Sequence, residues 1–412
     1  MALDILKIRK DFPILDQKVY GKPLIYFDSA ASAQKVLSVL KKEEQLVLEY
    51  YGNIHRGAHY MADKATAEFE AVRDSVKNFI NARFREEIIF TKGATEGMNL
   101  VAFSFGESFI NEGDEIILTE MEHHANIVPW QMMAMRRKAV IKVIPFSDDG
   151  RLEVEKLDSL ITSKTKIIAV AHISNTLGMV NPVKEIIAKA HSHGIKVLVD
   201  GAQSVKHFKI DVQDMDADFY SFSSHKMYGP NGVGVLYGKR ELLDKMVPYQ
   251  GGGEMISVVK FEKTTYNSLP YKFEAGTPDI TGVIAFGEAV RYLNEMDTDA
   301  MISYENSLTC YCMDELKKIK GVIIYGTWKD HSSVISFNIK GIHHYDLAMI
   351  LDKGGVALRS GRLCADPVMD HYGVSGMLRV SFDVYNTFAE VDSFIVLLKK
   401  AIKMLGGAKI NE

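Results

Sequence analysis

Ser221-Phe-Ser-Ser-His-Lys-Met-Tyr-Gly-Pro230 decides the fold, together with the apolar run Ile195-Lys-Val-Leu-Val-Asp-Gly-Ala-Gln203 that precedes it. Each stretch begins as a short buried strand, the first leading to Lys226 and the second to Asp200. A lysine amine can condense with the aldehyde of pyridoxal 5'-phosphate, and an aspartate can keep the pyridine nitrogen of that cofactor protonated. The pairing of these two residues predicts an enzyme that binds pyridoxal 5'-phosphate.

The region around these residues, from about residue 86 to residue 238, alternates short β-rich runs with helical patterns. Such alternation predicts an α/β fold in which helices cover both faces of a mostly parallel sheet. The predicted strands are Ile88–Phe90, Glu115–Leu118, Ile141–Ile144, Lys166–Val170, Lys196–Val199, Phe219–Phe222 and Gly234–Tyr237. The predicted helices include Glu96–Phe105, Asn126–Lys138 and Pro182–His193. Ligands of such sheets bind at the carboxyl ends of the strands.

The rhythm of the sequence changes after about residue 295, and this change predicts a second, smaller α+β domain. Its predicted elements are the helix Thr298–Lys318, the strand Val334–Asn338, the helix Asp346–Asp352, the strands Gly355–Arg359 and Leu378–Ser381, and the helix Ala389–Met404, which ends at Gly406-Gly407. We therefore expect a large cofactor-binding domain over residues 21–294 and a small domain formed by residues 1–20 and 295–412. The loop that contains Cys364 belongs to the small domain.

Composition places the chain among globular proteins, with 412 residues, 47% apolar residues and a net charge of −4. This charge gives no reason to expect a nucleic acid or an anionic membrane as a partner. No apolar run approaches the ~18 residues of a membrane span, and the N-terminus lacks the apolar core of a signal peptide. Three cysteines argue against a disulfide framework and favour a reducing, cytoplasmic location. No HExxH motif and no paired CxxC motif occurs, so no metal site is predicted.

Several strand ends carry residues that suit a bound cofactor and its substrate. Gly93-Ala-Thr-Glu-Gly97 opens a predicted helix, so its N–H groups and the Thr95 hydroxyl suit a phosphate. One histidine of the pair that begins at His123 suits stacking on an aromatic ring, and Asn175 suits a ring oxygen or a carboxylate. Each of these residues alone is more simply explained as a cap or turn residue, and only their convergence supports a site. Arg379 suits a bidentate clamp on a substrate carboxylate, the alternative being a strand-edge arginine with a surface partner.

Eight motifs follow one another along the chain: Phe27-Asp-Ser-Ala-Ala31, Asn53-Ile-His-Arg-Gly57, Gly93-Ala-Thr-Glu-Gly97, His123-His-Ala-Asn126, Asp200-Gly-Ala-Gln203, Ser223-Ser-His-Lys226, Phe273-Glu-Ala-Gly-Thr-Pro278 and Arg359-Ser-Gly-Arg-Leu-Cys364. In type and order they resemble the class V aminotransferase superfamily and, more narrowly, the Suf-type (group II) cysteine desulfurases. The resemblance extends to about Asn386. It implies a fold-type I homodimer that uses pyridoxal 5'-phosphate to convert L-cysteine to L-alanine and holds the sulfur on an enzyme cysteine as a persulfide.

The resemblance also implies a role for each matching residue. Lys226 would bind the cofactor covalently, Cys364 would accept the sulfur, and His123 would stack on the ring and assist proton transfer. The remaining cofactor contacts would be Asp200 at the pyridine nitrogen, Gln203 at the ring hydroxyl, Thr95, Ser223 and His225 at the phosphate, and Thr277 at the phosphate of the partner subunit. The substrate would be bound by Asn175, Arg379 and Arg359.

Other features of the sequence bear on sulfur transfer. Arg362 and Leu363 stand where the family commonly has two histidines before its acceptor cysteine, and the added cation is expected to favour the thiolate. Cys310 and Cys312 are expected to pack within a helix, which leaves no second cysteine to relay the sulfur. We therefore expect a thiol-bearing partner protein to take it, and the resemblance implies a sulfur-acceptor protein of the Suf system, in iron–sulfur cluster assembly. Relatives that use the zinc-containing, scaffold-like type of acceptor carry a histidine at the position of His343, so the resemblance favours that type.

Two other functions stay open on the sequence alone. Another class V enzyme, such as a selenocysteine lyase, a kynureninase-like hydrolase or a small-molecule aminotransferase, would share the cofactor residues without needing Cys364. A catalytically idle scaffold subunit is the second alternative, and the intact set of Lys226, Asp200 and Cys364 argues against it. A desulfurase of this kind is also a candidate selenocysteine lyase, and the sequence determines neither the turnover rate nor the preference between sulfur and selenium.

Overall fold

The computed structural model of the protein describes residues 3–406. In chain order its strands are β1 (Lys18–Val19), β2 (Lys22–Pro23), β3 (Ile25–Tyr26), β4 (Ile88–Thr91), β5 (Glu115–Thr119), β6 (Val140–Ile144), β7 (Thr165–Ala171), β8 (Lys196–Asp200), β9 (Phe219–Ser223), β10 (Gly234–Gly238), β11 (Ile256–Val259), β12 (Thr264–Tyr266), β13 (Val322–Tyr325), β14 (Val334–Ile339), β15 (Val356–Ala357), β16 (Arg359–Gly361) and β17 (Met377–Ser381).

The helices, in the same order, are α1 (Ile5–Arg9), α2 (Leu37–Glu49), α3 (Tyr60–Phe79), α4 (Ala94–Phe109), α5 (Val128–Arg137), α6 (Leu157–Leu160), α7 (Val183–Ser192), α8 (Val212–Met215), α9 (Arg240–Leu243), α10 (Ile280–Glu295), α11 (Thr298–Lys317), α12 (His344–Lys353), α13 (Asp366–His371) and α14 (Phe388–Met404). Within the described part of the chain, no helix combines the length and the apolar character needed to cross a lipid bilayer. The last predicted helix is confirmed as α14, and Gly407 lies outside the described residues.

Seven strands form the central sheet, in the order β4-β10-β9-β8-β7-β5-β6. The strands from β9 to β6 pair in parallel, and β10 runs antiparallel to both of its neighbours. Both faces are buried: in β7, Ile168 and Val170 belong to one apolar cluster, whereas Ile167 and Ala169 belong to another. Helix-covered faces explain why these strands are apolar along their length. The predicted α/β fold is confirmed, and every strand predicted between residues 86 and 238 lies in this sheet.

The second sheet is antiparallel, has the order β13-β14-β17-β16 and packs against α11, α12 and α14. The single strand predicted over Gly355–Arg359 is wrong. The chain there forms β15, which pairs in parallel with β3, and then β16, which pairs with β17. Ile25 and Phe27, from the N-terminal part of the chain, pack into the apolar core of this smaller unit. The predicted domain limits, 21–294 against 1–20 with 295–412, stay a prediction.

The two cysteines of α11 have different surroundings. Cys312 is buried, and burial raises the pKa of its thiol, whereas Cys310 is exposed. Residues two positions apart on a helix are separated by about 200° around its axis. Because α11 buries one face, the predicted helix packing is confirmed for Cys312 and wrong for Cys310.

A close contact between the backbones of Gly93 and Gly234 joins α4 to the central sheet. Gly234 opposes Thr91, the last residue of β4, and Gly93 is the N-cap of α4. A Cβ atom on Gly234 would lie 2.4 Å from the Cα atom of Gly93, which is closer than nonbonded carbons approach. The absence of a side chain at Gly234 therefore fixes where the first turn of α4 sits.

We expect Gly234→Ala to lower the free energy of unfolding by about 1–3 kcal/mol, the usual cost of overpacking, because the added carbon has only backbone to displace. Denaturant unfolding followed by circular dichroism measures this loss. Gly251→Ala is the matched control, since a Cβ atom there meets nothing within 4 Å. Equal unfolding midpoints for the two variants would contradict the steric argument.

Candidate active site

A cavity of about 430 Å³ lies at the carboxyl ends of the parallel strands, between the central sheet and the smaller unit. Asp200 ends β8, Ser223 ends β9 and Ala171 ends β7 at this cavity. The predicted site residues that line it are Thr95, His123, Asn175, Asp200, Gln203, Ser223, His225, Lys226, Arg359, Cys364 and Arg379. The fold thus gathers, from both units, every residue predicted to bind the cofactor or the substrate except Thr277.

Lys226 closes a short 3₁₀ turn, Ser224–Lys226, directly after β9. Burial lowers the pKa of its ammonium group to about 8, and the negative charge of Asp200 opposes that shift. An amine with such a pKa is partly neutral near pH 7, so Lys226 can act as a nucleophile or a base. Burial raises the pKa of Asp200, whose Oδ1 accepts a hydrogen bond of 2.9 Å from the Ala202 N–H.

The start of α4 offers an anion cradle together with the end of β9. The Ser223 hydroxyl oxygen accepts a hydrogen bond of 2.8 Å from the Ala94 N–H, which leaves the hydroxyl proton free to donate. Thr95 is exposed in the first turn of the helix, whose free N–H groups and dipole favour negative charge. His225 contacts the Ser32 hydroxyl at 3.3 Å, and burial lowers its pKa to about 4.

His123 presents a neutral imidazole at the cavity. Its Nδ1 accepts a hydrogen bond of 3.0 Å from the Ala125 N–H, so the ring proton resides on Nε2. Burial, aided by the charge of Lys226, lowers the pKa of His123 to about 3. The flat, uncharged ring of His123 suits stacking against an aromatic ligand.

Gln203 lies at the same cavity, where its side-chain amide donates to the Ala30 carbonyl oxygen at 2.7 Å.

Two arginines share one aspartate at the opposite wall. Arg379, on β17, is buried, and it donates to the Asp28 carboxylate at 3.0 Å and to the Asn175 carbonyl oxygen at 2.9 Å. Arg359 pairs with the same Asp28 at 2.9 Å. Two cations against one carboxylate leave a surplus positive charge, which suits an incoming carboxylate. The Asn175 side-chain amide donates to the Leu363 carbonyl oxygen at 2.8 Å, so this cavity residue also contacts the Cys364 loop.

Cys364 is exposed, and its neighbour Leu363 is buried. Both residues have left-handed backbones, with φ of 55° at Cys364 and 57° at Leu363. The preceding Arg362 is ion-paired with Asp366 and Asp370. The cation that Arg362 adds beside Cys364 is therefore paired with two carboxylates, and its expected effect on the thiolate stays a prediction.

Two predicted residues lie away from the cavity. Thr277 is exposed and lines a separate hollow of about 170 Å³ with the segment 53–56. His343 caps α12, where its Nδ1 accepts from the Tyr345 N–H at 3.3 Å. Asp28 and His124 were not predicted as site residues. The His124 N–H donates to the Cys364 carbonyl oxygen at 2.8 Å, and Asp28 pairs with both arginines. The acid in the motif Phe27–Ala31 was the sequence signal for an arginine partner.

The chain is similar to known proteins over nearly its whole length. Residues 25–394 match the family model described as aminotransferase class V. The chain is 47% identical to a cysteine desulfurase of Cronobacter sakazakii over 407 residues, which cover 98% of this chain and 100% of that protein. It is 50% identical to a probable cysteine desulfurase of Staphylococcus aureus over 400 residues, 97% of each chain.

Solved structures of cysteine desulfurases superpose on nearly the whole chain. A cysteine desulfurase from Escherichia coli, crystallised in an S-sulfonic acid form, superposes with a TM-score of 0.91 at 39% identity, covering 98% of this chain and 100% of that one. The apo cysteine desulfurase of Thermococcus onnurineus has a TM-score of 0.93 at 36% identity, covering 98% of this chain and 99% of that one. The mixed sheet and helical layers are therefore those of fold-type I proteins.

Because burial lowers the pKa of Lys226 to about 8, we expect its amine to gain reactivity at lower pH than an ordinary lysine, whose pKa is about 10.4. Below its pKa the amine is protonated and inert, so carbamylation of the cofactor-free protein by cyanate should be half-maximal near pH 8. Peptide mass spectrometry measures this midpoint for each lysine. Asp200→Asn removes the charge that favours the ammonium form, and it should move the midpoint lower. A carbamylation midpoint of Lys226 near pH 10.4, the pKa of an ordinary lysine, would contradict the burial of its amine.

Proposed function

The chain belongs to the aminotransferase class V family and, within it, to the cysteine desulfurases, and on that premise we propose that it converts L-cysteine to L-alanine with the sulfur passing to Cys364. The observation that carries this proposal is that one cavity brings Lys226, Asp200 and Cys364 together. A class V enzyme without sulfur chemistry has no need for the third residue. A scaffold subunit has no need for a buried lysine with a lowered pKa.

The cavity residues fit pyridoxal 5'-phosphate as the cofactor. Asp200 offers a buried carboxylate for a pyridinium N–H, His123 offers a flat ring for stacking, and the first turn of α4 with Ser223 offers N–H and O–H donors for a phosphate. Lys226 is the amine for covalent attachment to the aldehyde. When bound, the cofactor supplies an electron sink that stabilises negative charge developing at the substrate α-carbon.

Different residues of the chain bind the substrate, transfer a proton and attack the sulfur. Arg379 and Arg359 bind the substrate carboxylate through their shared surplus charge, which orients the α-hydrogen and the thiol. Lys226, with a pKa of about 8, is suited to take a proton at the α-carbon and to return it. The Cys364 sulfur attacks the substrate sulfur. An S–S bond forms as the substrate C–S bond breaks, and the electron pair of that bond stays with the carbon, which is protonated to the methyl group of alanine.

We also propose that the enzyme is a homodimer and that Thr277 reaches the phosphate of the neighbouring subunit. Thr277 lies outside the cavity of its own chain, beside the segment 53–56. Large apolar side chains are exposed just before that segment, where Val47, Leu48 and Tyr51 expose 57%, 76% and 54% of their surface. Grouped apolar exposure of this kind marks association surfaces.

The persulfide on Cys364 is proposed to pass to a thiol of an acceptor protein, for iron–sulfur cluster assembly in the cytoplasm. Exposure of Cys364 supports this step, since a partner must reach the terminal sulfur. His343 favours the zinc-containing, scaffold-like type of acceptor. The same site suits selenocysteine, whose selenium leaves more readily than sulfur. We assign the Cys364 loop to a small domain formed by residues 1–20 and 295–412, which adjoins a large cofactor-binding domain over residues 21–294.

We expect Cys364→Ala to abolish the formation of enzyme-bound sulfane sulfur and to slow alanine production severely, because no thiol remains to attack the substrate sulfur. The cofactor absorbance should persist, since Cys364 acts after cofactor binding. Alanine and cyanolysable sulfur, measured after adding L-cysteine, provide the test. Cys310→Ala is the matched control, because it removes another exposed thiol on a distant helix. Normal alanine formation in Cys364→Ala would contradict the proposed function.

We expect Arg379→Lys to raise KM for L-cysteine about tenfold or more, while the cofactor absorbance stays unchanged. Lysine keeps the charge but loses the planar fork, and a charge-assisted hydrogen bond contributes about 1.5–3 kcal/mol. Steady-state kinetics against L-cysteine concentration measure the effect. An unaltered KM would mean that another group binds the substrate carboxylate.

A further inference from the structure

We propose that Arg362, Asp366 and Asp370 form an ion-pair clamp that positions the Cys364 turn for attack on the substrate sulfur. This inference rests on the proposed function of Cys364. In this clamp Arg362 is a positioning residue that acts through the backbone of the turn and touches no reacting atom. Its two partners lie four and eight residues further along the chain, on α13.

The turn needs such support because its backbone is strained. Leu363 and Cys364 are consecutive residues with φ of 57° and 55°, and neither is a glycine. Side chains with a Cβ atom are disfavoured in the left-handed region, so two in succession persist only when surrounding contacts hold them. Strained backbone of this kind tends to occur where a reacting group must be presented in one orientation.

Two hydrogen bonds hold the turn on the side of the cavity. The Asn175 side-chain amide donates to the Leu363 carbonyl oxygen at 2.8 Å, and the His124 N–H donates to the Cys364 carbonyl oxygen at 2.8 Å. Both donors come from loops that follow strands of the central sheet. They fix the inner side of the turn, and different groups hold its solvent side.

The clamp closes the solvent side. Arg362 precedes the strained pair, and its guanidinium reaches across to Asp366, the first residue of α13, and to Asp370 at 2.9 Å. His124 also reaches Asp366, with Nε2 2.6 Å from Oδ2. The ends of the turn are thereby joined over residues 362–370. Val368 and Met369 bury α13 in the apolar core, so the helix has a fixed position and the ion pairs connect Arg362 to it.

The clamp is open to solvent and therefore sensitive to salt. The side chains of Arg362 and Asp366 expose 41% and 39% of their surface, and that of Asp370 exposes 75%. Ion pairs at such exposure are weak and are screened by added salt. The clamp can thus hold the turn during attack and still yield when the sulfur is handed on.

Hydrogen exchange of the holoenzyme, followed by mass spectrometry of the peptide that spans residues 359–372, tests the clamp directly. We expect Arg362→Gln to speed exchange in this peptide about threefold, the effect of losing an exposed ion pair. In wild type, exchange should quicken with added sodium chloride, and in the variant that dependence should shrink. Arg291→Gln is the matched control, because Arg291 also pairs with two carboxylates, Glu288 and Glu295, at 50% exposure.

Single-turnover alanine formation tests the positioning role. Arg362→Gln should slow the first turnover several-fold and leave KM for L-cysteine and the cofactor absorbance unchanged. Arg362→Lys should recover part of the rate, since one amine can pair with one carboxylate. Asp370→Asn, which removes only the outer partner, should give an intermediate rate.

Unchanged exchange in the 359–372 peptide of Arg362→Gln would overturn the clamp. Faster exchange with an unchanged first turnover would overturn its positioning role. Neither result bears on the proposed function, which fails only if Cys364→Ala still forms alanine normally.

Discussion

Burial of the Lys226 amine at the carboxyl end of the central sheet is the constraint on which the site depends. Removal from water lowers the pKa of that amine, and the nearby Asp200 limits the shift, so the amine is held between its charged and neutral forms. This balance requires a sheet covered on both faces, since a solvated strand end would leave an ordinary lysine. Burial likewise raises the pKa of Glu122 to about 8. The Glu122 carboxyl group accepts hydrogen bonds from the Thr119 hydroxyl, the Asn126 amide and the Ala171 N–H.

The smaller unit completes the site through charges that it shares with the sheet. Asp383, after β17, pairs with Lys206 and accepts a hydrogen bond of 2.5 Å from Tyr228, two residues beyond Lys226. All three side chains are buried, so each depends on the others for its partner. The strand that carries Arg379 is thus tied to the loops that carry Asp200 and Lys226. Movement of one unit against the other would separate buried charges, which argues for a single preferred arrangement near the substrate.

Short apolar runs predicted the strands of the central sheet to within one residue at each end, because its inner strands are buried on both faces. The motifs likewise pointed to the residues that line the cavity. Pairings between distant segments were not visible in the sequence. The first part of the run Gly355–Arg359 pairs with β3 and its end pairs with β17, and only the folded chain shows this. The state of Arg362 was missed for the same kind of reason, since neutralisation by Asp366 and Asp370 depends on the geometry of a short helix. Cys310 was misassigned because periodicity alone did not show which face of α11 is covered.

The parallel pairing of β3 with β15 has a consequence for how the chain is made. Ile25 and Phe27 belong to the core of the smaller unit, whose remaining strands and helices come from the last third of the sequence. During synthesis this early apolar segment must wait, unpaired, until nearly the whole polypeptide has left the ribosome. Contacts between such distant segments are slow to form and leave apolar surface exposed meanwhile. A nascent chain that lacks the last third of the sequence therefore cannot bury its own beginning in this core.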